Sequence, residues 1–252
     1  MNILIPMAGA GQRFQDAGFD VPKPYIPIEG TPMIQWVVEN LLEQQIHGTY
    51  IFLIQEEHLR FDAEKTIINM FKNTPSSCYI ITVPGLTAGQ LCTALYAREM
   101  INTDEQLLIV NSDNYFIWNE NTTLTSFDED VSGAILTFND SEKNTHWSFA
   151  KITEENVVTR IEEKNPISDD ALAGGFMWKH GSDFIKYADC IIAKEEKVRG
   201  EYYIAPVMNE AIVDGSKIIN CKLDNMVSMG TPEELKAFTH WVINKRGSHN
   251  DN

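Results

Sequence analysis

The sequence predicts a single α/β domain built on a mixed, mainly parallel β-sheet flanked by helices. Three observations carry this expectation. Apolar runs alternate with segments of helical periodicity through residues 1–110, the pattern of successive right-handed βαβ crossovers. A chain of 252 residues, 43% hydrophobic and 22% charged, buries a substantial core without staples. No internal repeat or low-complexity linker divides it, so the domain is expected over residues 1–245, with a flexible polar tail over 246–252.

The elements follow in order. Residues 2–6 read as a buried strand. Thr31-Pro32 reads as a helix start, Thr as N-cap and Pro in the first turn. Behind it Met33, Ile34, Val37, Val38, Leu41 and Leu42 recur at helical spacing. A strand is expected over 50–54, a helix over 63–71, a strand over 79–83, a helix over 91–101 and a strand over 106–110. Beyond Asp113 the spacing shortens. Strands over 133–138, 148–152 and 157–161 have hairpin-like separation, and another runs over 171–178. Helices over 183–193 and 205–213, a strand over 217–223 and a last helix opened by Thr231-Pro232-Glu233-Glu234 complete the chain.

Charge narrows the partners. Twenty Lys and Arg against 36 Asp and Glu leave a formal net charge of −16. Such a surface repels phosphate backbones, and the densest basic cluster is only Lys245-Arg246, so no nucleic-acid partner is expected. No apolar run is long enough to span a bilayer and no signal peptide is visible, which predicts a cytoplasmic protein with no membrane partner. Cys78, Cys92, Cys190 and Cys221 lack Cys-x-x-Cys spacing and read as reduced, mostly buried thiols. An assembly of identical copies is compatible with the sequence.

The chemistry concentrates after the first strand, in Pro6-Met7-Ala8-Gly9-Ala10-Gly11-Gln12-Arg13-Phe14. Glycines at 9 and 11 let the backbone turn tightly and bring N–H groups to an anion. Arg13 adds a planar, permanently charged fork suited to phosphate oxygens. Lys23 stands on a stiff segment between Pro22 and Pro24. The dinucleotide fingerprint wants a third glycine where Phe14 stands, and the Walker Gly-Lys-Ser/Thr is missing. A plain glycine turn is the alternative until Arg13 and Lys23 are counted.

Gly9-x-Gly11-x-Arg13-Phe14, then Pro22-Lys23-Pro24, then Ile28-x-Gly30-x-Pro32-Met33-Ile34, resembles the N-terminal signature of the sugar-phosphate nucleotidyltransferases. The resemblance covers roughly residues 2–240 and implies a Rossmann-like, GT-A-like fold. It also implies the joining of a nucleoside triphosphate to a phosphorylated metabolite, with release of pyrophosphate. By analogy the short chain implies a pyrimidine triphosphate, UTP, dTTP or CTP. The acceptor implied first is a sugar 1-phosphate, with phosphocholine-like or other phosphorylated metabolites used by relatives of similar length, and the setting implied is the synthesis of cell-surface polysaccharide precursors.

The resemblance assigns residues. Met7, Ala8, Gly9, Ala10, Gly11, Gln12, Arg13 and Lys23 would hold the nucleotide, together with Thr87, Gly89 and Gln90 of the base-recognising loop and Asp113 at the end of an apolar strand. Asn114, Glu163, Lys164, Gly175 and Tyr202 would face the acceptor. Arg13, Lys23 and Lys164 would be catalytic, and Asp113 would bind Mg²⁺. The family commonly carries a second metal-binding Asp two residues before Gly-Thr-Pro, but here Ser228 precedes Gly230-Thr231-Pro232, so either Asp224 substitutes, or Asp113 and substrate phosphates hold the metal alone, or catalysis is weakened.

Two rival readings are a GT-A glycosyltransferase, which would show Asp-x-Asp where Asn111-Ser112-Asp113 stands, and a non-catalytic nucleotide-sensing domain, made plausible by Ser228.

Overall fold

A computed structural model of the chain describes residues 1–120, 122, 124 and 128–247. The tail expected from 246 on lies, from residue 248, outside the described residues. The first half runs β1 (Asn2–Pro6), α1 (Gln12–Asp16), β2 (Pro27–Ile28), β3 (Thr31–Pro32), α2 (Met33–Glu43), β4 (Thr49–Gln55), α3 (Ala63–Met70), β5 (Ser77–Val83), α4 (Gln90–Ala94), α5 (Arg98–Ile101) and β6 (Leu107–Val110). The second half runs β7 (Asn114–Ile117), β8 (Val131–Asn139), β9 (Phe149–Ile152), β10 (Val158–Glu162), β11 (Asp170–Trp178), α6 (Gly181–Ala193), α7 (Ala205–Val213), β12 (Lys217–Lys222), β13 (Asn225–Ser228) and α8 (Pro232–Gly247).

Nine strands form one mixed sheet in the order β10-β9-β11-β6-β1-β4-β5, with β8 and β12 continuing from the other part of β11. The four strands β6-β1-β4-β5 are parallel. β11 runs antiparallel to both β6 and β8, and β8 pairs in parallel with β12. β1 shows how the sheet buries both faces. Ile3 and Ile5 join a core that includes Val37 of α2, Ile67 of α3 and Phe238 of α8, while Leu4 joins Leu91 of α4, Ile101 of α5, Phe184 of α6 and Val207 of α7. The two-residue period of the strand sends alternate side chains to opposite helical layers. Among the described residues no helix is long and apolar enough to cross a membrane.

Three local expectations are corrected. Thr31-Pro32 does not cap α2: it pairs with Pro27-Ile28 in a two-residue ladder, and Pro32 takes the N-cap without a side-chain bond. Glu29 and Gly30 have φ of 50° and 81°, the positive pair that a tight hairpin turn demands. At the other Thr-Pro, Thr231 does cap: its Oγ1 accepts the Glu234 N–H at 3.2 Å. The single helix expected over 91–101 is instead α4, a 3-10 turn over Leu95–Ala97 and α5, with no Gly or Pro to signal the break. The hairpin expected between residues 133–138 and 148–152 does not form; β8 pairs with β11 and β12, and of the strands β8, β9 and β10 the last two alone make a hairpin. None of the four cysteines forms a disulfide among the described residues, and of the four only Cys221 is buried.

Candidate active site

The chain leaves β1 toward β4 on one side and returns through β6 on the other. In open α/β sheets ligands collect at the carboxyl ends of the strands where the order reverses in this way. The loops after β1, β5 and β6 all reach this edge.

Each loop is shaped by a local constraint. Gly11 has φ of 63° and precedes α1; a Cβ there would lie 3.3 Å from the Lys23 Cβ. A glycine at 11 thus lets the Pro22-Lys23-Pro24 segment pack against the loop. Lys23 then reaches across to Asp113, its ammonium donating to Oδ2, with the two side chains only 19% and 22% exposed. In the loop after β5, Gly89 has φ of 134°, and a Cβ there would fall 2.4 Å from the Tyr202 carbonyl oxygen. This close approach is fastened by Tyr202 N–H to the Ala88 carbonyl at 2.9 Å and Leu91 N–H to the Tyr202 carbonyl at 3.1 Å. Gln90 donates its amide to Asn111 Oδ1 at 2.6 Å.

Two clefts open along this edge. The larger, about 530 Å³, is walled by Pro6–Phe14, Lys23, Leu86, Thr87, Gly89, Gln90 and Asn111–Asp113, among others. The smaller, about 380 Å³, holds His146, Trp147, Ser148, Glu163, Lys164, Arg199 and Tyr203. Arg13, Lys23, Gln90, Asn111, Asp113 and Gly230 line both. The larger cleft thus opens directly onto the smaller past one lysine–aspartate pair.

The smaller cleft has its own electrostatics. Ser148 donates its hydroxyl to Glu163 Oε2. Burial pushes the Glu163 carboxyl above its ordinary range, and the Ser148 bond and the charges of Lys164 and Arg199 pull it back in part. The Lys164 ammonium donates to the Tyr203 phenol oxygen and lies 4.2 Å from that ring's centroid. Lys164 and Arg199 both hold positive φ, 56° and 50°, which side-chain-bearing residues rarely adopt. Strain of this kind gathers at functional sites. In a chain of net charge −16, four cations, Arg13, Lys23, Lys164 and Arg199, are concentrated around these two clefts.

All the residues expected to hold the nucleotide, from Met7 to Arg13 and Lys23, Thr87, Gly89, Gln90 and Asp113, line the larger cleft. Asn114, Glu163 and Lys164 line the smaller. Three expected residues are placed elsewhere. Gly175 lies in the β11–β6 ladder, and a Cβ on it would strike the Leu136 side chain at 2.4 Å, so it serves packing; its neighbour Gly174 lines the cleft. Tyr202 is 8% exposed and packs in the core, leaving Tyr203 to face the cleft. Asp224 is an exposed residue at the far end of β13, its carboxylate bonded by the Asn119 amide at 2.7 Å. Four residues of extended chain, roughly 13 Å, separate it from Ser228.

Sequence reasoning missed Arg199, Trp147 and Glu234. Arg199 directly precedes the run Gly200-Glu201-Tyr202-Tyr203, which resembles part of the acceptor pocket, and that adjacency is the signal that could have found it. Glu234 was hidden because a glutamate three residues after a threonine reads as a helix cap.

β13 pairs antiparallel with β7 so that Ser228 stands opposite Asn114, and the Met229 N–H donates to the Asp113 carbonyl at 2.7 Å. Gly230 then faces three oxygens. A Cβ there would lie 3.1 Å from Ser228 Oγ, 3.1 Å from Glu234 Oε2 and 3.3 Å from Asp113 Oδ2. The glycine leaves open an oxygen-lined hollow between two carboxylates. Hard-cation chemistry suits such a donor set, since Mg²⁺ takes one or two carboxylates and completes its shell with water and substrate phosphates.

A glycine-rich loop at the strand edge, joined to a second cleft with cations of its own, is an arrangement suited to two phosphate-bearing ligands. The sequence profile of the nucleotidyl transferase family matches residues 3–240, and the chain belongs to that family. The bifunctional protein GlmU of Methanococcus aeolicus is 25% identical over 248 residues, which are 97% of this chain and 55% of that protein. The GlmU of Thermotoga maritima is 25% identical over 218 residues, 84% of this chain and 44% of that protein. The chain spans about half the length of these curated relatives. Among solved structures, the nucleoside-diphosphate-sugar pyrophosphorylase of Vibrio cholerae RC9 is 25% identical and superposes with a TM-score of 0.78, covering 94% of this chain and 99% of that one. A UDP-glucose pyrophosphorylase complexed with UDP-glucose, 18% identical, shares the fold with a TM-score of 0.76 over 97% and 98% of the two chains.

Proposed function

We propose that this chain transfers a nucleotidyl group from a nucleoside triphosphate to a phosphorylated small molecule and releases pyrophosphate. The observation that carries the reading is the shared wall. Two clefts with cations of their own meet at Arg13, Lys23 and Asp113, so a triphosphate in one can present its α-phosphorus to a phosphate in the other.

An acceptor phosphate oxygen attacks the α-phosphorus in line. The new P–O bond forms as the bond to the bridging oxygen of the β-phosphate breaks, and pyrophosphate carries away the electron pair. No protein nucleophile takes part. Positioning and charge neutralisation do the work. The amides of the Gly9–Gly11 loop and Arg13 hold the triphosphate, Lys23 faces the site of transfer, and Lys164 with Arg199 aligns the acceptor phosphate. Glu163, fixed by Ser148, takes hydrogen bonds from the acceptor body, and Trp147 offers it an apolar face. A magnesium ion held by Asp113 at the Gly230 hollow would neutralise charge on the α-phosphate and the leaving group.

We place a pyrimidine triphosphate, UTP, dTTP or CTP, and a sugar 1-phosphate first. The sugar is supported by likeness to the V. cholerae pyrophosphorylase. Precursors of cell-surface polysaccharides are the setting we infer, in the cytoplasm. A matrix of nucleoside triphosphates against phosphorylated sugars, polyols and amino alcohols, read by pyrophosphate release, tests all of this. Turnover of one pair well above the rest is expected. Nucleotide binding with no pyrophosphate from any pair, or release of free nucleoside diphosphate from a nucleotide sugar, would overturn it.

A further inference from the structure

Ser228 stands where the family resemblance calls for a second metal-binding aspartate, and Asp224 is too far along β13 to replace it. The structure offers another carboxylate. Glu234 is the third residue of α8, and its backbone N–H is already capped by Thr231 Oγ1 at 3.2 Å. In a capping box its carboxylate would bend back to the Thr231 backbone N–H. Here it turns over Gly230 instead and accepts the Ser228 hydroxyl at 2.9 Å. Ser228 Oγ accepts in turn the Gly230 N–H at 3.1 Å. That hydroxyl has given its one proton to Glu234, so it aims the carboxylate. The hollow left by the missing Cβ of Gly230 has Glu234 Oε2 on one side and Asp113 Oδ2 on the other.

We propose that Glu234 is the second carboxylate of the divalent-cation site and that Ser228 is its positioning residue. The proposal rests on the metal-dependent reading of the shared wall and adds the ligand that reading lacks. The family's aspartate is in effect moved six residues along the chain, from the end of β13 to the first turn of α8. The serine left behind is short enough to orient the longer glutamate toward Asp113.

Manganese(II), a paramagnetic stand-in for magnesium, gives the test. The full chain without nucleotide is titrated with Mn²⁺, and free Mn²⁺ is followed by its electron paramagnetic resonance signal. Glu234→Gln and Asp113→Asn should each weaken binding about tenfold or more, and Ser228→Ala should weaken it by loosening Glu234, also by about tenfold. Ser228→Asp placed in the Glu234→Gln chain should restore binding, because it returns a carboxylate to the hollow from the other side. Glutamine still serves the helix cap, so Glu234→Gln should melt as the unaltered chain does. Unchanged Mn²⁺ affinity in Glu234→Gln, beside a loss in Asp113→Asn, overturns the role of Glu234 and leaves the metal reading of Asp113 standing. Unchanged affinity in both variants, or no binding by the unaltered chain at millimolar Mn²⁺, removes the carboxylate pair as a cation site altogether. Pyrophosphate release measured separately reports on the transferase reading itself.

Discussion

The larger cleft takes the longest part of its wall from one unbroken stretch, Pro6–Phe14, whereas the smaller draws on Arg13, Asn114, Trp147, Glu163, Arg199, Tyr203 and Glu234, spread over more than two hundred residues. The first is a local device: backbone amides and one arginine on a turn that two glycines permit. The second exists only once β7 pairs with β13, Tyr203 comes beneath Lys164, and Ser148 meets Glu163. A cleft made of contiguous backbone can bind the common part of many substrates, the triphosphate. A cleft assembled from dispersed side chains can change one residue at a time, and under the proposed function it is where acceptor choice would be set.

Chelation should test both clefts at their shared wall and have the largest effect. Excess EDTA should abolish pyrophosphate release, and undiminished turnover would remove Asp113 as a metal ligand. Arg13→Ala comes next, with kcat/KM down on the order of 100-fold or more while the chain stays folded. An unchanged kcat/KM for the nucleotide would mean that the glycine loop is not the triphosphate site.

Protonation should separate the two clefts. His58 packs under the glycine loop, 2% exposed and edge-on to Tyr25 at 5.4 Å, and burial holds its pKa down from 6.5 to about 4. The unfolded chain therefore takes up this proton first as pH falls. The neutral imidazole's contribution is fully present above pH 6.5 and is lost as pH drops through 4, a difference on the order of 3 kcal/mol. Urea melts across this window should show the loss, and His58→Phe should flatten it. An identical pH profile in that variant would show that His58 titrates normally.

Lys164→Ala should act on the smaller cleft alone. The acceptor KM should rise about tenfold or more while the nucleotide KM stays put. Equal effects on both KM values would mean that the two clefts are one site. Smallest of all should be Tyr202→Phe, within about 0.5 kcal/mol of stability and without effect on turnover, because that ring packs in the core. Tyr203→Phe, by contrast, should raise the acceptor KM.

The amino-acid sequence by itself determined the strand-and-helix alternation and the glycine loop, Arg13 and Lys23 of the larger cleft. Both follow from short-range chemistry: apolar periodicity, glycines in a turn, an arginine and a proline-flanked lysine. It also carried Asp113 and Lys164, each at or beside the end of an apolar strand. It did not carry the partner of Asp113. Sequence spacing pointed to Asp224, four residues from the expected place, but a residue at the far end of an extended strand cannot return to the site. Glu234, six residues the other way, comes back because Gly230 and the start of α8 fold the chain over Ser228. Gly174 over Gly175 and Tyr203 over Tyr202 were decided in the same manner: adjacent residues point to opposite sides, and only the β11 register and the clamp between Gly89 and Tyr202 say which side faces the cleft.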